Sequence, residues 1–231
     1  MRFRDRTDTG RQPTEQLQIP VGAGVPLAGD LSIPTRATGL VVFAHGSGSS
    51  RHSPRNRMVA GGLRQRHLAT LLMDLLTPGE EQLDQRTRHL RFDIALLAAR
   101  LDSAVAWLES EPELSDLPVG YFGASTGAGA ALVAAARRPA RIAAVVSRGG
   151  RPDLAGEHLA LVRAPTLLIV GGNDDLVIEL NRDAYERMGG QRRLEIVPGA
   201  THLFEETGAL EEVTRLAGDW FAEHLHSTDD P

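Results

Sequence analysis

The stretch LPVGYFGASTGAGAALVAAAR, Leu117 to Arg137, constrains this chain more than any other. Apolar Val119, Tyr121 and Phe122 predict a short buried strand, and Gly123-Ala124-Ser125-Thr126-Gly127 follows it with the G-x-S-x-G spacing of a nucleophile elbow. A strand that turns at once into a helix strains its turn residue and packs the two backbones so closely that side chains at positions 123 and 127 would collide. Glycine on both sides meets that demand. The same turn leaves the Ser125 hydroxyl exposed beside the positive N-terminus of the following helix, where an oxyanion is favoured. That helix is nearly all Gly and Ala as far as Leu132, so it can lie tight against a sheet. A Gly/Ala-rich helix start without chemistry carries the same pattern, and the motif gains meaning only from its context.

That context is a chain in which strands and helices alternate. Gln16 to Pro20 and Val25 to Ile33 are short, alternating and bounded by Gly and Pro, and predict an antiparallel hairpin. Gly39 to Ala44 is apolar on both faces, as a central strand of a parallel sheet must be. It runs into the Gly/Ser loop His45-Gly46-Ser47-Gly48-Ser49-Ser50 and a helix around Pro54 to Gln65. Leu68 to Leu75 predicts a strand. Thr77 to His89 reads as a polar connection long for its place, and Leu90 to Leu108 as a helix with Leu90, Ile94, Leu97, Leu101, Val105 and Leu108 on one stripe. After the elbow come a strand at Arg141 to Val146, a short helix near Leu154 to Val162, a strand at Pro165 to Val170, a helix at Leu176 to Met188, a strand at Leu194 to Val197 and a closing helix from about Gly208 to Leu225. The alternation, with no internal repeat and no Pro/Ser linker, predicts one doubly wound α/β domain over residues 14–226, preceded by a flexible polar arm at 1–13 and followed by a polar tail at 227–231.

Composition narrows the classes of function. With 25 Lys and Arg against 30 Asp and Glu, the net charge of -5 favours neither nucleic acid nor an anionic membrane as a partner. The absence of cysteine excludes disulfides, thiolate metal sites and a cysteine nucleophile. The charged opening MRFRDRTDTGRQPTEQ lacks the apolar core of a signal peptide, and no segment approaches the roughly 18 apolar residues of a membrane span, so a cytoplasmic protein is expected. The histidines form no H-x-x-x-H or H-E-x-x-H pair, and His224 and His226 fall near the end of the chain, so no metal and no cofactor are expected.

A serine hydroxyl is a poor nucleophile at neutral pH and needs a histidine to take its proton and a carboxylate to hold that histidine. Candidates follow predicted strands in order. Pro165 to Val170 runs into Gly171-Gly172-Asn173-Asp174-Asp175-Leu176-Val177, and Leu194 to Val197 runs into Pro198-Gly199-Ala200-Thr201-His202. The preferred acid is Asp174, in a G-x-x-D-x-x-V placement. Asp175 reads as the cap of the following helix, and Asp153 as a substitute if the strand assignment shifts by one unit. An oxyanion hole would pair the Thr126 N–H with a donor from the loop after an earlier strand, most naturally Ser47, with glycines on either side. His45 reads as a loop brace and not as a base.

The order Ser125, Asp174, His202 resembles that of the α/β-hydrolase superfamily. Within it, FAHGSGSSRHSPRN at 43–56, YFGASTGAGAAL at 121–132, SRGGRPDLA at 147–155, APTLLIVGGNDDLV at 164–177 and VPGATHLFEE at 197–206 resemble the dienelactone hydrolase-like branch. The resemblance implies an α/β-hydrolase fold, with a mostly parallel sheet and an N-terminal antiparallel hairpin, and hydrolysis of an ester or lactone through an acyl-enzyme; no long insertion follows the Arg141 to Val146 strand, where many relatives carry a helical lid, so no large lid and a small substrate are expected. Dienelactone hydrolases proper carry cysteine in the elbow where this chain has Ser125, so a serine esterase is the expectation. The opening MRFRDRTDTGRQ also looks like the start of phosphoribosyltransferase domains that accompany such hydrolases in fused proteins; no nucleotide chemistry is expected from it.

Substrate contacts are less legible. Arg51, His52, Arg55 and Arg57 after the oxyanion loop, with Arg148 and Arg151, could form a cationic rim around a substrate carboxylate, or could brace loops against the acids of Thr77 to Asp93. Arg51, His52, Arg148 and Arg151 are the substrate-binding candidates. A thioesterase or acyltransferase would use the same triad, and a binding module with a vestigial site would retain the fold; a dehalogenase or lyase would normally replace Ser125. The oligomeric state is not encoded in these patterns.

Overall fold

The computed structural model describes residues 14–22, 24 and 26–225. The expected N-terminal arm, the C-terminal tail and His226 lie outside the described residues. Among the described residues eight strands form one sheet: β1 (Glu15–Ile19), β2 (Leu27–Ser32), β3 (Gly39–Ala44), β4 (Leu68–Met73), β5 (Val119–Ala124), β6 (Ile142–Arg148), β7 (Thr166–Gly171) and β8 (Arg192–Val197). Their spatial order is β1-β2-β4-β3-β5-β6-β7-β8; β1 pairs antiparallel with β2 and β2 antiparallel with β4, and every other pairing is parallel. β3, β4, β5 and β7 are buried along their whole length, which explains their unbroken apolar sequences.

Among the described residues six α-helices flank the sheet: α1 (Pro54–Gln65), α2 (Pro78–Thr87), α3 (Ile94–Ser110), α4 (Thr126–Arg137), α5 (Asp175–Arg187) and α6 (Ala209–His224). On one face Val59, Leu63, Val213 and Phe221 of α1 and α6 pack onto Val41, Phe43 and Phe122 of the central strands. On the other, Leu97, Leu101, Val105 and the alanines of α4 pack onto Leu40, Val42 and Tyr121. From β3 the chain passes to β4 on one side and, further on, to β5 on the other, so a crevice opens beyond the carboxyl ends of β3 and β5.

Four expected elements differ. The polar connection at 77–89 is mostly helix α2. Thr77 and Glu80 form a capping box, with the Glu80 N–H donating to Thr77 Oγ1 at 3.3 Å and the Thr77 N–H donating to Glu80 Oε2 at 2.8 Å. The long helix expected from Leu90 starts at Ile94, because Asp93 caps it by accepting the Leu96 N–H at 3.0 Å; Leu90–Phe92 is a separate 3-10 turn. The strand expected to end at Val146 runs on to Arg148, pairing Ser147 with Gly123 and Arg148 with Ala124. After it, the expected short helix is a 3-10 segment, Pro152–Leu161, kinked at Gly156.

Candidate active site

Every candidate group sits at the carboxyl end of a strand. Ser125 follows β5 with φ 51° and ψ -122°, a strained conformation for an L-residue worth roughly 1–3 kcal/mol that the surrounding packing must hold. A side chain at 123 would overlap Ala128 and one at 127 would overlap the carbonyls of Ala44 and His45, so the elbow closes only with glycine at both places. α4 is buried from Thr126 through Ala135, which its small residues allow.

Asp174 and His202 meet across the ends of β7 and β8. His202 Nδ1 donates to Asp174 Oδ2 at 2.7 Å, which leaves Nε2 as the ring nitrogen free to accept a proton. Asp174 occupies the N-cap position of α5, but its carboxylate makes no capping bond because it is turned to His202. Asp175, expected as the cap, is the first residue of the helix. Asp153, the substitute acid, is held instead by Arg151 through hydrogen bonds of 2.8 and 2.7 Å. Ser125 and His202 line the same cavity of about 210 Å³, together with Gly46, Ser47, Arg55, Asn56, Arg148 and Leu203. The Ser125 hydroxyl has no hydrogen-bond partner among the described residues; such bonds often tighten only once substrate is bound.

The loop after β3 completes the opposite wall. A side chain at Gly46 would stand 3.1 Å from Ser125 Cβ, so glycine lets this loop reach the elbow. Ser47 Oγ and Thr126 Oγ1 share a hydrogen bond of 2.9 Å, and neither backbone N–H has an acceptor among the described residues. His45 braces the loop. Its Nε2 accepts the Leu75 N–H at 3.1 Å and its Nδ1 donates to the Gly46 carbonyl at 2.9 Å; burial lowers its pKa. Behind the loop, Asp84 is almost wholly buried and accepts from Arg91 Nε at 2.5 Å and from the Arg91 N–H at 3.1 Å. Burial alone would raise the Asp84 pKa, but these bonds outweigh it and hold the carboxyl below its ordinary value. This pair was not legible beforehand; the T-x-x-E capping box at 77–80 was the available signal that helix α2 carries it.

The four expected substrate-binding residues separate. Arg51 pairs with Asp74 and with Asp30 (3.4 Å), and Arg57 with Asp30 (3.0 Å). Arg51 and His52 line a second cleft of about 690 Å³ with Asp74 and Glu81, and neither Ser125 nor His202 borders it. His52 Nδ1 accepts from Arg57. Arg151 pairs with Asp153. Arg148 alone of the four lines the Ser125 cavity. It is 7% exposed, has no carboxylate partner among the described residues, and lies 5.8 Å from the Phe204 ring centroid. Burial, with Arg55 nearby, lowers its pKa to about 10.

A mostly parallel sheet with this strand order and with candidate groups on the loops after β3, β5, β7 and β8 defines an α/β-hydrolase fold. The chain belongs to the dienelactone hydrolase family, whose model matches residues 68–224. It is 60% identical to a dienelactone hydrolase of Anabaena variabilis of known crystal structure, covering 93% of this chain and 99% of that one with a TM-score of 0.91. It is also 60% identical over 211 residues to a Mycobacterium tuberculosis protein named "putative phosphoribosyl transferase", covering 91% of this chain but 46% of that protein, so the chain spans under half the length of this relative. Est1E from Butyrivibrio proteoclasticus shares the fold, with a TM-score of 0.75 at 17% identity over 90% of this chain and 98% of that one. Among the described residues no helix is long and apolar enough to cross a membrane.

Proposed function

We propose that the chain is a serine hydrolase that cleaves a small carboxylic ester or lactone through an acyl-enzyme. The observation that carries this reading is the 2.7 Å bond from His202 to Asp174 on the cavity that the strained Ser125 also borders. Ser125 Oγ attacks the acyl carbonyl while His202 Nε2 takes its proton, and Asp174 fixes the ring and stabilises the imidazolium. The N–H groups of Ser47 and Thr126 receive the oxyanion. His202 returns the proton to the leaving oxygen, and water, activated by the same ring, releases the acid and restores Ser125.

The cavity volume of about 210 Å³ supports a small acyl group, since pockets for drug-sized ligands start near 300 Å³. A fluorophosphonate probe tests the reading. Labelling mapped to Ser125 by mass spectrometry, with turnover of short p-nitrophenyl esters lost in step, is the expected result. An unlabelled protein that turns over none of these esters would leave a binding module. Partitioning of the acyl group to an added alcohol separates hydrolysis from acyl transfer.

A further inference from the structure

β8 ends the sheet, and its outer edge has no partner strand among the described residues. The Thr166 N–H donates to the Gln191 carbonyl at 2.9 Å and the Gly172 N–H to the Val197 carbonyl at 2.8 Å, in a register that sets Leu167 beside Arg193 and Ile169 beside Glu195. Backbone bonding alternates along a strand, so Arg193, Glu195 and Val197 bond β7, while the N–H and C=O groups of Arg192, Leu194 and Ile196 point away from the sheet. Such an edge is a template for another strand. On one face of β8, Leu194 and Ile196 pack against Val170 of β7 and Val177 and Ile178 of α5. On the other face the side chains of Arg193 and Glu195 are 59% and 30% exposed, and their ion pair of 2.6 Å with each other is the only one either makes among the described residues. A cleft of about 690 Å³ between α5 and β8 is lined by Arg182, Arg192 and Arg193 and by Asp183, Glu186 and Glu195, so its charges balance.

We infer that this edge is an interface for a second copy of the chain, which adds its own β8 antiparallel about a two-fold axis at Leu194. In that register Leu194 exchanges both outward backbone bonds with the partner's Leu194, and Arg192 does the same with the partner's Ile196. Arg193 then stands opposite the partner's Glu195, and Glu195 opposite the partner's Arg193, in the close, non-hydrogen-bonded positions where cross-strand side chains meet. One short sequence thus supplies two pairs of unlike charges. An axis at Arg193 or at Glu195 would oppose like charges instead. A two-fold contact needs a patch that complements itself, and a charge-balanced cleft beside an R-L-E strand meets that need, whereas a polyanion or polycation would leave half of these charges unmatched. None of these residues borders the Ser125 cavity, and the inference stands apart from the hydrolase reading.

Sedimentation velocity across a concentration series should show the wild type passing to twice the mass of one chain. Arg193→Glu brings acids face to face at both pairs and Glu195→Arg does the same with cations, so each variant should self-associate about tenfold more weakly or worse. Mixed in equal amounts, the two variants set unlike charges opposite again and should form a dimer that neither forms alone. A wild type that stays monomeric at every concentration, or a mixture no more associated than its parts, overturns the inference. A second measurement holds even where a charge reversal disturbs folding. The chain has no cysteine, so Arg193→Cys and Glu195→Cys each introduce a single thiol. In the inferred register these thiols face each other only when one copy carries each variant, within the separation a disulfide spans. Under mild oxidation the mixture should give far more covalent dimer on a non-reducing gel than either variant alone. Equal yields overturn the interface.

Discussion

The hydroxyls of Ser47 and Thr126, 79 positions apart in sequence, share a hydrogen bond of 2.9 Å that ties the loop after β3 to the first turn of α4. The bond holds the two proposed oxyanion donors at a fixed spacing before any substrate arrives, and pre-set donors cost no reorganisation when charge develops. Ser47→Ala and Thr126→Val leave both N–H groups in place but free the loop. Each is expected to lower kcat about tenfold with KM little changed, a smaller effect than the roughly 10²–10³ lost with a donor itself. Steady-state kinetics on a short ester checks the split.

Asp174→Asn keeps the shape of the acid but not its charge, so the ring of His202 loses the partner that sets its tautomer. The expected fall in kcat is about 10³–10⁴, and Ser125→Ala should fall at least as far because the groups act as a unit. A double variant that falls no further than either single one is the outcome to measure.

Asp84→Ala removes one half of a buried pair and leaves Arg91 uncompensated, with an expected loss of about 3–5 kcal/mol in chemical denaturation. Because the folded carboxyl titrates below its ordinary value, its stabilisation is complete above the unfolded pKa of about 4 and is lost as pH falls through the lower folded value. Asp84→Asn should therefore show a shallower loss of Tm below about pH 4 than the wild type.

His45 gives a second pH signature. Its folded pKa lies below 6.5 because of burial, so on acidification the unfolded chain takes up a proton that the folded chain refuses. Stability falls as pH drops from about 6.5 toward the lower folded value. His45→Gln should flatten the Tm profile in that window and lower kcat by loosening the Gly46 carbonyl and Leu75 anchors.

Arg148→Met replaces an unpaired buried cation with an apolar chain of similar reach, and unfolding free energy should rise by about 1–3 kcal/mol at pH 8. Burial holds the pKa of the folded guanidinium down at about 10, below its unfolded value, so the wild type recovers part of this difference as pH rises past 10. Thermal scans at pH 8 and pH 10.5 should show the gap narrowing.

Local chemistry made the frame readable from sequence: the doubly apolar strands, the glycines flanking Ser125, and the order of Ser125, Asp174 and His202 along the chain. These signals are short-range, since a buried strand must be apolar on both faces and an elbow must have glycine wherever its residues are read. Helix α2 was also written locally, in the capping box of Thr77 and Glu80, although the polar composition of that segment masked it.

Which charges are free was not local at all. Arg51, Arg57, Arg148 and Arg151 are alike as letters, and only the packing of α1, β2, β4 and the 3-10 segment after β6 supplied acids to three of them and left Arg148 in the Ser125 cavity. Two further residue pairs in the β6 ladder, Ser147 with Gly123 and Arg148 with Ala124, turn an expected loop residue into a buried wall of that cavity. Charge pairing depends on contacts between residues far apart along the chain, so sequence by itself determined the fold and the candidate triad, and tertiary structure alone decided where an unmatched cation remains.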